Sequence, residues 1–89
     1  MKFPLGKTVA TAGAFHELER AGLIPALLLD RHANGDWGEI NEQDRQANEY
    51  AMKHALRVLS AYILKSGQKI WIITEADRST TTILLPEEY

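Results

Sequence analysis

The chain reads as an α+β domain, with two or three N-terminal helices packed on one face of a C-terminal three-stranded antiparallel sheet. Two observations predict this. Up to His54 the chain carries helix caps and apolar positions at three- and four-residue spacing. From Leu56 to Leu85, β-branched and aromatic runs alternate with the polar turns Lys65-Ser66-Gly67-Gln68 and Ala76-Asp77-Arg78-Ser79. The 89 residues form one domain, 1–89, because a second core could not bury enough surface to offset the chain entropy it would order.

Within Gly6 to Thr11, the run Lys7-Thr8-Val9 is short enough for an extra N-terminal edge strand. Thr11 is a candidate N-cap for a first helix that places Phe15, Leu18 and Gly22 on one face, with Gly22 as its stop. Pro25 suits the first turn of a second helix, in which Ile24, Leu27, Leu28 and Arg31 follow helical spacing. Asn34-Gly35-Asp36-Trp37-Gly38 breaks the chain, and its single aromatic is expected to fold back as an anchor. Asn41 caps a third helix, with Asp44 three positions on, and Ala47, Tyr50, Ala51 and His54 form its expected buried stripe. Arg45, Glu49 and Lys53 share another face at four-residue spacing.

If both turns are even-numbered loops, the strand register follows. Leu59, Ala61, Ile63, Ile70, Ile72, Thr74, Ile83 and Leu85 then share the core face. Tyr62 falls opposite Trp71 on the other face, with Val58, Ser60, Ile73, Glu75, Leu84, Thr80 and Thr82. Only an odd bulge would swap these faces. The half-apolar second face is the candidate binding surface, comprising Tyr62, Trp71, Ile73, Glu75, Thr80, Thr82 and the neighbouring Arg78.

Hydrophobic content of 45% with 25% charged residues excludes a disordered chain. A net charge of -2 without a basic block counts against nucleic-acid binding by phosphate neutralisation. The absence of cysteine removes disulfides and thiolate chemistry. No apolar run resembles a signal peptide or approaches bilayer length, so a cytoplasmic protein without membrane contact is the expectation.

Gly6-Lys7-Thr8 lacks the upstream strand and first glycine of a phosphate-binding loop. His16, His32 and His54 share no metal-ligand spacing with a carboxylate, and neither metal nor cofactor is expected. His32 and Asp36 bracket a turn, where they would either order the loop or act as a ligand or acid-base pair. Glu75, Asp77 and Arg78 cluster at one turn beside Thr80 and Thr82, which supplies the parts for phosphate binding and proton transfer.

The string His32-Ala33-Asn34-Gly35-Asp36-Trp37-Gly38, followed by Leu59-Ser60-Ala61-Tyr62, Ile70-Trp71-Ile72-Ile73-Thr74-Glu75-Ala76-Asp77-Arg78-Ser79 and Thr81-Thr82-Ile83-Leu84-Leu85-Pro86, resembles a family of small plasmid-related proteins. These belong to bacterial plasmids, phages and integrated elements, and the likeness covers roughly residues 4 to 89. The resemblance supplies the setting of a mobile element and no mechanism. The half-apolar face, in a small domain without a catalytic constellation, predicts a nonenzymatic accessory or regulatory role through an unidentified protein partner or a homodimer at the Tyr62 and Trp71 face. The order of elements is also distantly similar to barnase- and RelE-like ribonucleases. That likeness implies a metal-independent alternative with Glu75 as base, Arg78 as phosphate clamp and His32 as a further catalytic group. Weak single-strand binding by stacking on Tyr62 and Trp71 is a third reading.

Overall fold

The computed structural model describes Met1–Tyr89. The elements are β1 (Lys7–Ala10), α1 (Ala12–Arg20), α2 (Pro25–Ala33), α3 (Glu42–His54), β2 (Val58–Ile63), β3 (Lys69–Thr74) and β4 (Thr80–Leu84), followed by a 3-10 turn at Pro86–Glu88. The fold is α+β, but the sheet is mixed and four-stranded, in the order β1-β4-β3-β2. This corrects the three-stranded antiparallel expectation: β1 joins as an edge strand, parallel to β4. Every residue of β1 is exposed, so the sequence offers no alternating pattern to reveal its partner.

The helix signals act where they stand in the sequence. The Thr11 side chain accepts from the Ala14 N–H at 3.1 Å and donates to Glu88 Oε1 at 2.6 Å, joining the α1 cap to the C-terminal turn. The first helix closes in a Schellman arrangement, with Gly22 N donating to Glu19 O and Leu23 N to Leu18 O. Its buried stripe is Ala14 and Leu18, while Phe15 points outward and is 51% exposed. Pro25 opens α2, which buries Leu28, His32 and Ala33. Asn41 caps α3 through Asp44 N at 2.7 Å. The expected stripe of α3 is corrected, because Asn48 and Ala51 are buried while Tyr50 and His54 stack on each other at its outer face.

The hairpin between β2 and β3 sets the sidedness of the sheet. Leu64 N donates to Gln68 O at 2.9 Å and Gly67 N to Leu64 O at 2.8 Å, which leaves Lys65-Ser66-Gly67 as a three-residue loop. Its last residue has φ +92°, a conformation glycine adopts without a Cβ penalty. The loop is therefore odd, and β2 slips by one residue relative to the expected register. Val58 pairs with Thr74, Ser60 with Ile72, Ala61 with Trp71 and Tyr62 with Ile70. The β3 to β4 loop is even, and there Ile72 pairs with Ile83 and Thr74 with Thr81, as the sequence predicts.

One side of the sheet thus carries Val58, Ser60, Tyr62, Ile70, Ile72, Thr74, Thr81 and Ile83. The helices pack here: Tyr62, Leu64, Ile70, Ile72, Ile83 and Leu85 join Ala14, Leu18 and Leu28 in the main core cluster. A second cluster, Phe3, Trp37, Ala51 and Val58, closes the α3 end and confirms Trp37 as an anchor.

Candidate functional site: the open sheet face and a buried histidine chain

The side of the sheet away from the helices carries two rows. Leu59, Ile73, Thr82 and Val9 form one, and Ala61, Trp71 and Leu84 the other. Glu75 and Thr80 lie at one rim, where Glu75 N donates to Thr80 O at 3.0 Å. Ile63 is exposed at the opposite rim. Of the predicted surface, Trp71, Ile73, Glu75, Thr80 and Thr82 do share this side. Tyr62 does not, because the odd hairpin turns it into the core, where it is 3% exposed. The proposed pairing of Tyr62 with Trp71 is therefore corrected. Leu59 and Ile63 take its place, and a glycine at the third position of the turn was the signal that could have revealed them.

The C-terminal turn lies over part of this face. Tyr89 packs edge-on against Trp71 at 5.8 Å between ring centroids, and the Arg57 guanidinium sits 5.5 Å from the Tyr89 ring while donating to its hydroxyl. Ile73 and Leu84 are buried, Trp71 and Leu59 are half-buried, and Ile63 and Tyr89 remain exposed. The result is an aromatic and aliphatic surface edged by a cation.

The other predicted residues have structural partners. Arg78 adopts φ +62°, and its guanidinium donates to the carbonyls of Leu56 at 2.6 Å, Glu75 at 3.1 Å, Ala76 at 3.3 Å and Ala51 at 3.1 Å. It ties the turn to the C-terminal end of α3. Ser79, through its hydroxyl first and its backbone N–H second, holds the Asp77 carboxyl below the usual range. Asp36 pairs with Arg31 through contacts of 2.7 and 3.2 Å rather than with His32, so the proposed His32 and Asp36 pair does not form. That ion pair lowers the Asp36 pKa and raises that of Arg31. Arg31 also lies 4.6 Å from the Tyr62 ring centroid, and the Tyr62 hydroxyl donates to Asp36 O at 2.6 Å. Burial pushes the Tyr62 phenol up to about 12.

His32 occupies the centre of the core with no exposed surface. Its Nδ1 lies 2.5 Å from Ser60 Oγ and its Nε2 2.8 Å from Thr74 Oγ1. Thr74 Oγ1 is in turn 2.7 Å from Thr81 Oγ1, which donates to Leu5 O at 2.7 Å. The terminal carbonyl can only accept, so it orients the entire chain. Thr81 gives its proton to Leu5 O, Thr74 donates to Thr81, Nε2–H donates to Thr74, and Ser60 donates to Nδ1. Every member is satisfied with His32 neutral, and burial lowers its pKa to about 4. The Phe3 ring meets the imidazole edge-on at 5.3 Å. A serine beside a histidine supplies two parts of a nucleophilic site, but this pair has no opening to substrate.

No group of three or more His, Asp or Glu side chains converges as a metal site. No helix is long and apolar enough to cross a membrane. Comparison of the chain with protein-family models, with curated proteins and with solved structures finds no match.

Proposed function

We propose that this protein is a nonenzymatic accessory or regulatory protein of a mobile genetic element, acting in the cytoplasm by binding a protein partner through the open sheet face around Trp71. The observation that carries this reading is the sidedness of the sheet. All three helices serve one face, while the other presents the exposed Ile63 and Tyr89 and the half-buried Leu59 and Trp71, with Tyr89 of the C-terminal turn packed on Trp71. An apolar and aromatic patch with Arg57 at its rim has the composition of a contact core, in which aromatics and arginine carry most of the energy. Glu75, Thr80 and Thr82 complete the surface, with Ile73 buried in the row between Leu59 and Thr82.

The ribonuclease alternative loses its supports. His32 is enclosed in the core and bonded on both ring nitrogens, and the Arg78 guanidinium is engaged by four carbonyls. Only Glu75 remains free to act.

A photo-crosslinking residue placed at Trp71 or Ile63, compared with one at Glu49 on the outer side of α3, tests the interaction in cells. Adducts of one defined mass at the sheet positions and none at Glu49 are expected; identical adducts at all three refute it. Sedimentation of wild type and Trp71→Glu reports whether the partner at this face is a second copy. Incubation with mixed RNA in EDTA should give no cleavage, and cleavage abolished by Glu75→Gln would reinstate the nuclease.

A further inference from the structure

The two edges of the sheet are finished differently. At the β2 edge, two of the three outward-facing positions, Leu59 and Ala61, are occupied by the chain itself. Asn48 Oδ1 accepts from Leu59 N at 3.0 Å and Asn48 Nδ2 donates to Leu59 O at 2.7 Å, so one side chain stands in for a neighbouring strand. Ala61 N donates to Trp37 O at 3.0 Å, and Ala61 O accepts from Glu39 N at 2.6 Å. That edge is closed over Leu59 and Ala61 and open only at its last residue, the exposed Ile63, as sheets that avoid association require.

The β1 edge has no such cover. Lys7 N donates to Ser79 O and Thr11 N to Ile83 O, so in a parallel ladder the alternate residues Thr8 and Ala10 turn their N–H and C=O groups away from β4. All of β1 is exposed. On the helix side, a groove of about 190 Å³ follows this edge, lined by Thr8, Ala10, Pro25, Leu29 and Ile83. Ile24, at the start of α2, is 61% exposed nearby in sequence.

We infer that β1 is a strand-pairing edge and that its occupant is a second copy of this chain, joined antiparallel across a two-fold axis at Val9. The argument is self-complementarity. Pairing Thr8 with Ala10 of the partner, and Ala10 with Thr8 of the partner, satisfies every outward N–H and C=O on both strands. Val9 then faces Val9 of the partner at the close, non-hydrogen-bonded position, and Lys7 faces Thr11 of the partner, so no like charges oppose. The side chains of Thr8 and Ala10 are small and leave room for the two α2 helices to approach.

Pairing also extends the row of Leu59, Ile73, Thr82 and Val9 through the axis into the partner, and places both open faces on the same side of one continuous sheet. A four-residue edge buries far less than the roughly 800 Å² per partner of a standard interface, so the dimer is weak and concentration-dependent. This inference does not require the open face to bind a partner.

Analytical ultracentrifugation from micromolar to millimolar protein, with amide hydrogen exchange at Thr8 and Ala10, tests it. Wild type and Trp71→Glu should both dimerise reversibly, and Thr8 and Ala10 amides should gain protection as the dimer forms. Val9→Lys, which opposes two charges across the axis while leaving the pairing with β4 intact, should stay monomeric with unchanged circular dichroism. A wild type that is monomeric throughout overturns the inference, as does a dimer that survives Val9→Lys or is lost in Trp71→Glu. Should Val9→Lys misfold, the wild-type amides decide: fast exchange at Thr8 and Ala10 in the dimer rules out pairing there.

Discussion

Acidification tests the buried chain around His32 directly, because burial away from water disfavours the charged imidazolium in the folded protein. Nδ1 accepts from Ser60, Nε2–H already donates to Thr74, and the ring has no solvent contact. The folded pKa is about 4 against an ordinary value of 6.5. The unfolded chain therefore takes up a proton first as pH falls, and unfolding becomes more favourable. The shift is about 2.5 pH units, or about 3 kcal/mol at 1.36 kcal/mol per unit. This stabilisation is complete above pH 6.5 and is lost as pH falls toward 4, with about 2.5 kcal/mol gone by pH 4.5. The shifted carboxylates, Asp36, Glu42, Asp77 and Glu88, are lowered from ordinary values of 3.8 or 4.5, so their contributions fade only at and below that range. Urea unfolding of wild type and His32→Gln at half-unit steps from pH 7 to 4.5 separates the two. Wild type should lose stability across the window while the variant, less stable at pH 7, stays nearly flat. Equal slopes in the two proteins would refute the assignment, as would nitrogen chemical shifts placing the proton on Nδ1 at pH 7.

Three further substitutions probe how the sheet is held. Asn48→Ala should cost about 2 kcal/mol or more by orphaning Leu59 N and O, each worth about 1–3 kcal/mol when buried and unpaired. It should also show concentration-dependent light scattering as the β2 edge opens. Gly22 and Gly38 share φ +73°, yet only Gly38 is crowded, with an added Cβ lying 2.6 Å from Tyr62 Cδ1 and colliding with Ala61 O. Gly22→Ala should lower the urea midpoint by about 1 kcal/mol equivalent, the left-handed backbone penalty alone, and Gly38→Ala by at least twice as much. Trp37→Phe removes a buried Nε1–H that has no partner, so its loss of packing is offset by removal of an unsatisfied donor. Its stability should lie within about 1 kcal/mol of wild type, far from the 3–5 kcal/mol usual for losing a buried tryptophan to alanine, and thermal denaturation measures both.

What was legible in the sequence depended on where the physical determinants sit. The caps at Thr11 and Asn41, the stop at Gly22 and the proline start of α2 are local, and they act as written. The β3 and β4 pairing was legible because Ile70, Ile72, Ile83 and Leu85 alternate cleanly about an even loop. On β2 the alternation misleads. Leu59, Ala61 and Ile63 look like the core set, yet Val58, Ser60 and Tyr62 face the helices. The polar atoms of the chosen set find partners far away in sequence, Ser60 on His32 and the Tyr62 hydroxyl on the Asp36 carbonyl. No local pattern announces a bond spanning 28 residues. The same holds for Asn48, a polar residue buried on a polar helix because it replaces a strand. The surface around Trp71 was therefore half legible, since β3 and β4 contributed what was expected and β2 contributed its opposite side.

The buried chain also explains why the register holds although the more apolar alternative lies one residue away. A slip of β2 would bring Leu59, Ala61 and Ile63 under the helices, and on transfer free energy alone that set competes well with Val58, Ser60 and Tyr62. The slip would remove the donor from His32 Nδ1 and the acceptor from the Tyr62 hydroxyl, and would carry Leu59 away from Asn48. Each orphaned buried group costs about 1–3 kcal/mol, so several together exceed the gain of roughly 1.5–3 kcal/mol from burying one more aliphatic side chain. The odd hairpin at Gly67 selects the same register from the other end. Loop geometry and core polarity agree, and the sheet face that this agreement turns outward is the one that carries Leu59, Ile63 and Trp71.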